Sequence, residues 1–246
     1  MAPAGYGNRV EGLHAVAAAA AAGRVRKLWV EKRRIDRSEI RSILHLIGEG
    51  RTSVVTDVRS LAETEAPQGV IAECAPIMPT PVDDLAGPDA AVVVLDHIED
   101  PHNVGAVARS AMAAGMTGLV MSSKRAAPLS ASAFKASAGA LEKVPVSVVG
   151  SIPEALNRLK SAGLWVVGLE AGSDSALFGL EILTEPVAVV VGAEGSGLSV
   201  LTAKRCDVLA SIPMAAGSES LNASVSAALA CFEVMRVRAS APKPLP

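Results

Sequence analysis

A polar segment directly after the apolar run Ala91–Leu95 has the residue types of a binding site. Asp100 and Pro101 are typical of a helix start, since Asp is a good N-cap and Pro fits the first helical position. At about 100° per residue, Asn103 and Arg109 then lie on the two flanks of the apolar stripe of that helix. The planar guanidinium of Arg109 suits a phosphate group, although an exposed arginine and a helix-start asparagine are also ordinary surface residues.

A second segment, Val189–Ser199, has the form of a buried strand followed by a glycine-rich turn. A P-loop needs lysine where this segment has Leu198, so the triphosphate motif fails. The glycines that begin at Gly192 follow the order G-x-x-G-x-G, the reverse of a dinucleotide fingerprint. What remains is a turn in which the backbone approaches another group closely, with the carboxylate Glu194 at its centre.

A third segment, Ser211–Ser226, joins a strand that ends near Pro213 to the last helix. Ser218 and Ser220 fit the preference of serine for helix N-caps. Asn222, predicted just inside the helix, is harder to explain by structure alone because asparagine is a poor interior helix former. It is therefore a candidate functional residue.

The elements that position these segments indicate an α/β domain over residues 90–238. Continuous apolar runs without polar alternation are typical of strands buried on both faces of a mainly parallel sheet, with helices on either side. The predicted strands are Ala91–Leu95, Gly118–Met121, Val146–Val149, Trp165–Gly168, Val187–Val191 and Val208–Ile212. A long apolar helix at about 221–238 closes the domain, and a loose tail is expected at 239–246.

Residues 1–75 are predicted to form a separate small α/β domain. The stretch 76–89 contains four prolines and a glycine, which makes regular structure improbable and predicts a linker. Before this linker, helical patterns at about 10–22 and 37–49 alternate with strand patterns at Lys27–Val30, Ser53–Thr56 and Val70–Glu73.

Positive charge is concentrated in the small domain, although the whole chain has a net charge of −2. Residues 24–37 include seven basic and two acidic residues. Such a stripe can neutralise phosphates, with Arg26, Lys27, Arg33 and Arg34 as candidate RNA-binding residues. The alternative is a merely solvated face, which is the usual meaning of a charge run.

Composition excludes several classes of protein. The chain has 246 residues, of which half are apolar and a fifth charged, so it can build a full core and is not disordered as a whole. The longest apolar run, Ala15–Ala22, is far shorter than the roughly 20 residues that span a bilayer. The start lacks the pattern of an export signal, which favours the cytoplasm. Neither the three cysteines nor the four histidines have metal-ligand spacing.

In this order and spacing, the three segments resemble the motifs of the SpoU family of RNA ribose methyltransferases. The first is D-P-x-N-x-G-x-x-x-R-S-A from Asp100, the second G-A-E-G-x-G-L from Gly192, and the third I-P-M…S-L-N-x-S from Ile212. Residues 1–75 look like the ribosomal-protein-like RNA-binding domain of the RlmB branch of that family.

The resemblance implies a deep trefoil knot of the SPOUT type, a homodimer, and S-adenosyl-L-methionine bound without a metal. It also implies which positions act. The positions that match the active site are Asn103, Arg109, Glu194, Ser220 and Asn222. The positions that match the cofactor contacts are Gly192, Ile212, Leu221 and Leu169.

By resemblance, the expected activity is methyl transfer from S-adenosyl-L-methionine to a ribose 2′-hydroxyl of RNA, here a guanosine of 23S ribosomal RNA. Arg109 then either deprotonates the hydroxyl or clamps a phosphate. Three alternatives stay open: a non-catalytic RNA-binding or ribosome-assembly protein on the same fold, a transfer-RNA 2′-O-methyltransferase, and a related antibiotic-resistance enzyme.

Overall fold

The computed structural model describes residues 5–215 and 220–240, and the chain groups into two compact units. The first unit consists of the chain up to Pro79, Pro101–Arg109 and Ala127–Lys143. The second unit consists of Thr80–Asp100, Ser110–Ala126 and the chain from Val144 onward. From the sequence we expected two continuous domains, 1–75 and 90–238; in the structure, two later segments group with the first unit.

The first unit is built on a four-stranded mixed sheet with the strand order β1-β4-β2-β3. Its elements in chain order are β1 (Arg9–Glu11), α1 (Leu13–Ala21), β2 (Val25–Glu31), α2 (Ser38–Ile47), β3 (Thr52–Val55) and β4 (Val70–Cys74). Strand β2 runs parallel to β3 and antiparallel to β4, which pairs antiparallel with β1. This confirms a small α/β fold; β1 was not predicted because three residues give too short a pattern.

The later segments complete the core of the first unit. They carry α3 (Pro101–Ala113), as far as Arg109, and α4 (Ala131–Ala136). Phe134 of α4 is fully buried, and its ring centroid lies 6.2 Å from that of Tyr6. Arg24, at the start of the basic stripe, donates from Nε to Glu142 Oε2 over 2.7 Å. Aromatic packing and an ion pair therefore hold residues far apart in sequence within one unit.

The second unit is built on a seven-stranded sheet with the order β7-β6-β5-β10-β8-β11-β9, in which every neighbouring pair runs parallel. The strands are β5 (Ala91–Asp96), β6 (Gly118–Ser122), β7 (Val146–Val149), β8 (Trp165–Leu169), β9 (Ser175–Ala176), β10 (Val187–Gly192) and β11 (Val208–Ser211). The side chains of β5 are buried along its whole length, which confirms the predicted parallel sheet.

Within the described residues, three α-helices belong wholly to the second unit: α5 (Ile152–Ser161), α6 (Val200–Ala203) and α7 (Ala223–Ser240). Ser151 is the N-cap of helix α5, and its side chain accepts a hydrogen bond from the amide of Glu154. Its apolar face, Ile152, Leu156 and Leu159, is buried at helical spacing in the main core with valines of the central strands.

The predicted linker, 76–89, is partly ordered. It contains a 3₁₀ turn at Val82–Leu85 with both end residues buried. Leu85 lies so close to Gly118 that a Cβ there would be 2.8 Å from Leu85 Cδ2. The buried side chains of Val82 and Leu85 therefore anchor this segment, which its proline content did not predict.

Two further observations concern the end of the chain and the thiols. Helix α7 continues to Ser240 rather than ending at 238, and residues 241–246 of the predicted tail lie outside the described residues. Cys74 and Cys231 are free and buried, and burial raises the pKa of Cys231 to about 12. Among the described helices, none combines the length and apolar character needed to cross a membrane.

Candidate active site

The glycine-rich turn after β10 is a closed hairpin. Ala193 and Gly197 exchange two backbone hydrogen bonds of 3.1 and 2.9 Å, which leaves Glu194 within the turn between them. Gly195 and Gly197 have φ angles of 77° and 64°, the left-handed conformation that glycine adopts at little cost. Turn geometry, rather than a bound phosphate, therefore accounts for two of the glycines.

Gly192 is required by close approach within the same turn. A Cβ on Gly192 would lie 2.2 Å from the carbonyl carbon and oxygen of Gly197. The end of the turn is also fixed, since Ser199 donates its amide to Oδ2 of the fully buried Asp96 over 2.8 Å. The other oxygen of Asp96 lies 2.7 Å from Nδ1 of His97. The end of the turn is therefore attached to the carboxyl end of β5.

Asn222 lies before α7 and not inside it, which corrects the expectation from sequence. Its Oδ1 accepts hydrogen bonds from the amides of Ser224 and Val225, over 2.9 and 3.3 Å. This is the geometry of a helix N-cap, for which asparagine is among the best residues. Asparagine is a poor residue inside a helix, but here it caps one, so capping explains its presence at this position.

The amide nitrogen of Asn222 nevertheless has a second contact. Asn222 Nδ2 donates to Oε1 of Glu194 over 2.5 Å, and the amide of Ala223 approaches the same oxygen at 3.4 Å. The carboxylate of Glu194 thus lies at the amino end of α7, where the helix dipole favours negative charge. Two candidate catalytic residues from separate motifs are joined directly, at an exposed position.

Beside this pair lies a cavity of about 200 Å³ in the second unit. Its wall is formed by the end of β8, the glycine turn, the end of β11 and the start of α7. The lining residues are Leu169, Glu170, Ala171, Val191, Gly192, Ala193, Glu194, Gly195, Ser196, Gly197, Ile212, Met214, Ser220, Leu221, Ala223 and Ser226. All four cofactor candidates and two catalytic candidates, Glu194 and Ser220, are therefore brought together.

The cavity also includes Glu170, which sequence reasoning missed. This residue directly follows Leu169, and its position after a strand is the only signal in the sequence that could have identified it. Its Oε2 is buried and accepts no hydrogen bond within the described part of the chain. In that same part, no group of three or more His, Cys, Asp or Glu side chains is placed to hold a metal ion.

Asn103 and Arg109 lie on the portion of α3 that groups with the first unit. Asn103 is half-buried and Arg109 exposed, whereas Val104 and Ala108 are fully buried. The helical periodicity predicted this arrangement. Gly105 is fixed by packing, since a Cβ there would lie 2.4 Å from the carbonyl oxygen of Ala133.

The basic stripe is less uniform than its sequence. Arg33 Nε donates to Glu31 over 2.6 Å, with Arg34 at 3.8 Å from the same buried carboxylate. The hydrogen bond from Arg33 lowers the pKa of Glu31. Arg26 and Lys27 are exposed on β2, and Nζ of Lys27 lies 4.7 Å from the centroid of the Trp29 ring. The four candidates thus divide into a paired set on Glu31, in which the Arg33 side chain is still 69% exposed, and an outward set on β2.

Two family models match the chain and cover most of it. Residues 90–232 match the SpoU rRNA methylase family, and residues 9–80 match the RNA 2′-O ribose methyltransferase substrate-binding family. The first match lies within the residues of the expected α/β domain, 90–238, and the second extends beyond the expected small domain, 1–75, as far as residue 80.

Curated relatives agree with these matches. A Staphylococcus haemolyticus protein named for the TrmH family of tRNA/rRNA methyltransferases is 36% identical over 93% of this chain and 95% of its own length. The 23S rRNA (guanosine-2′-O-)-methyltransferase RlmB of Xylella fastidiosa is 42% identical over 63% of this chain. The matched part spans only 62% of that relative and 46% of an uncharacterized tRNA/rRNA methyltransferase from Synechocystis.

Solved structures show the same fold. The SpoU methyltransferase AviRb from Streptomyces viridochromogenes, in complex with AdoMet, superposes with a TM-score of 0.80 at 28% identity, over 95% of this chain and 91% of that one. A second structure, an RNA 2′-O ribose methyltransferase, gives a TM-score of 0.78 at 26% identity, over 94% and 88%. By its motifs, its two family matches and its fold, the chain belongs to the SpoU rRNA methylase family.

Proposed function

We propose that this protein transfers the methyl group of S-adenosyl-L-methionine to a ribose 2′-hydroxyl of RNA. The observation that carries the proposal is one cavity in which Gly192, Ile212 and Leu221 lie beside the Glu194–Asn222 pair. Family membership supports the reaction class. The solved complex of AviRb with AdoMet supports the choice of cofactor.

The residues around the cavity fit this cofactor. Leu169, Ile212 and Leu221 would offer apolar surface to an adenine ring, and the tight glycine turn would let backbone approach the ligand. The buried, unpartnered oxygen of Glu170 offers an acceptor to a ligand donor. The cofactor supplies a sulfonium methyl group that already carries positive charge, so the transfer requires no Lewis acid.

The products of the proposed transfer are S-adenosyl-L-homocysteine, 2′-O-methylated RNA and the proton released from the hydroxyl, and the chain's own residues position the groups that react. The carboxylate of Glu194 is held by Asn222 and by the amino end of α7, which fixes its direction in the cavity wall. We assign Arg109 to the phosphate beside the target ribose, because its exposed planar guanidinium can donate two parallel hydrogen bonds to phosphate oxygens. Asn103, six residues before it on α3, assists in positioning RNA, and Ser220 lines the cavity.

For the substrate, we propose a guanosine of 23S ribosomal RNA. The support is the Xylella fastidiosa relative of that specificity and the match of residues 9–80 to a substrate-binding family. Arg26 and Lys27 are the outward cations that would meet RNA phosphates. The family resemblance further supports a homodimer and a trefoil knot in the second unit.

Mapping 2′-O-methyl marks tests the proposal. Ribosomal and transfer RNA from a strain lacking the gene are compared with RNA from the parent strain and from a strain complemented with the gene. We expect one guanosine mark in 23S rRNA to disappear and to return on complementation. A lost mark in transfer RNA would establish the alternative substrate, and intact marks in both RNAs would favour a non-catalytic RNA-binding protein.

A further inference from the structure

Glu170 is held in an unusual electrostatic position. Its backbone amide donates to the carbonyl of Ala210 over 3.0 Å, which fixes the residue at the end of β8. Its carboxylate lies against the glycine turn, since a Cβ on Gly197 would be 3.3 Å from Oε2 and 3.6 Å from Oε1. Oε2 is fully buried there without a donor among the described residues.

Such a group is costly in the absence of a ligand. A buried carboxylate oxygen without a hydrogen-bond donor loses its hydration and gains nothing in return. Within the described residues only one other buried side-chain atom has no partner, Oγ1 of Thr52, and that atom is a neutral hydroxyl of the first unit. Each such group in a folded protein calls for an explanation, and for Glu170 the adjoining cavity supplies one.

The chemistry of the surroundings selects the kind of donor. The carbonyl oxygens of Ala193 and Gly197 each accept a hydrogen bond from the other's amide, whereas Oε2 of Glu170 accepts none from the described residues. An ammonium group carries three donors and needs several acceptors, whereas a hydroxyl has one donor, which this single unmet oxygen satisfies. Two carboxylate oxygens also match a pair of neighbouring hydroxyls.

We propose that Glu170 accepts a hydrogen bond from a ribose hydroxyl of the adenosyl group bound in this cavity. This inference rests on the proposed function and extends it to a specificity-determining residue. A carboxylate that accepts from a ribose hydroxyl is a known solution in dinucleotide sites. A site built in this way discriminates strongly against ligands that lack the hydroxyl, because its own buried group is then left without a partner.

Calorimetry on the full chain tests this role without turnover. The ligands are S-adenosyl-L-homocysteine, its 2′-deoxy and 3′-deoxy forms, and its deaminated form. We expect the wild-type protein to prefer the parent compound over at least one deoxy form by about tenfold or more, as for one hydrogen bond to a charged acceptor. In Glu170→Ala the parent compound should bind about tenfold more weakly. The variant's preference for the hydroxyl should also vanish.

Asp174→Asn is the matched control, because it removes the same charge from an exposed position in the loop that follows. It should keep wild-type affinity and preference. A thermal melt separates misfolding from loss of contact. Since Glu170→Ala removes an unpartnered oxygen, its ligand-free Tm should be equal to or above that of the wild-type protein, while the rise in Tm on adding ligand shrinks.

Other results would contradict the inference or the proposed function, and they can be told apart. If Glu170→Ala keeps the wild-type preference for the ribose hydroxyls, Glu170 does not contact them and the inference is wrong. It is also wrong if the variant loses only its preference for the parent compound over the deaminated form, since the contact then goes to the amino group. If the wild-type protein binds none of these ligands, the proposed function itself fails.

Discussion

The two units differ in whether their charged side chains have partners within the protein. In the first, three of the seven basic residues of the stripe, Arg24, Arg33 and Arg34, are paired with Glu142 or Glu31 within the unit. In the second, a small cavity retains a buried carboxylate oxygen without a donor. A run of like charge is thus a weaker indicator of a binding site than one buried group whose partner is missing.

Among the substitutions that test this contrast, the largest effect is expected from Gly192→Ala. In Gly192→Ala the added Cβ would lie 2.2 Å from the backbone of Gly197, so the turn must open and the cavity wall must move. We expect binding of S-adenosyl-L-homocysteine to fall at least about a hundredfold, which corresponds to roughly 3 kcal/mol. Isothermal calorimetry measures the change.

Gly150→Ala is the control for that variant, because a Cβ at Gly150 has no neighbour within 4 Å. It should bind as the wild-type protein does. Unchanged ligand affinity in Gly192→Ala would show that the turn does not form the cofactor site, and would remove the geometric basis of the contrast between the units.

Asn222 is expected to show the next largest effect, because it both caps α7 and holds Glu194. Asn222→Ser keeps a capping oxygen but loses the amide donor, so stability should stay within about 0.5 kcal/mol while the methyl-transfer rate falls about a hundredfold. Asn222→Ala loses both contacts and should in addition lose about 1 kcal/mol of stability. Urea unfolding and single-turnover kinetics measure the two quantities; equal rates in Asn222→Ser and the wild-type protein would leave Asn222 a cap alone.

Much of this architecture was predictable, for physical reasons that particular residues show. Strand β10 was placed correctly to within one residue because Val187–Val191 is a continuous apolar run. Strand β9, with two residues, gives no such pattern. The role of Asn222 as a cap depends on where a helix begins, and the burial of Glu170 Oε2 depends on the fold of the turn. Neither can be obtained from residue type.

Arg109 is expected to show an intermediate effect. Arg109→Lys keeps the positive charge but loses the planar pair of donors. If Arg109 clamps phosphate, the rate should fall about tenfold or more at every pH. If it deprotonates the hydroxyl, lysine gives up its proton more readily and the rate should recover in alkali. Single-turnover transfer at saturating cofactor, from about pH 6 to 10, distinguishes the two roles; recovery to the wild-type rate would contradict the clamp.

The smallest effect is expected from substitutions in the basic stripe. These substitutions test the division of the stripe into a paired set and an outward set. Arg26→Ala with Lys27→Ala should weaken RNA binding several-fold and reduce the slope of log affinity against log salt by roughly 1.5. Arg33→Ala with Arg34→Ala should change that slope much less, because these side chains pair with Glu31. Filter binding over a range of salt concentrations measures both; equal slope changes would show that the internal pairing does not matter.

The dependence of stability on pH is the control for the paired set, Arg33 and Arg34. Because Arg33 lowers the pKa of Glu31 in the folded state, this carboxylate adds stability above its ordinary pKa of 4.5, and that contribution is lost as the pH falls through the lowered value. The Arg33→Ala and Arg34→Ala double variant should therefore be less stable than the wild-type protein at pH 7. The difference should shrink on acidification.

The most direct test of the central claim is the product itself. The purified protein is incubated with methyl-labelled S-adenosyl-L-methionine and unmodified 23S rRNA, and the RNA is then hydrolysed completely to nucleosides. We expect the label in 2′-O-methylguanosine with the wild-type protein, and a rate about a hundredfold lower with Asn222→Ser. Label on a base, or no label under conditions in which the cofactor binds, would contradict the account.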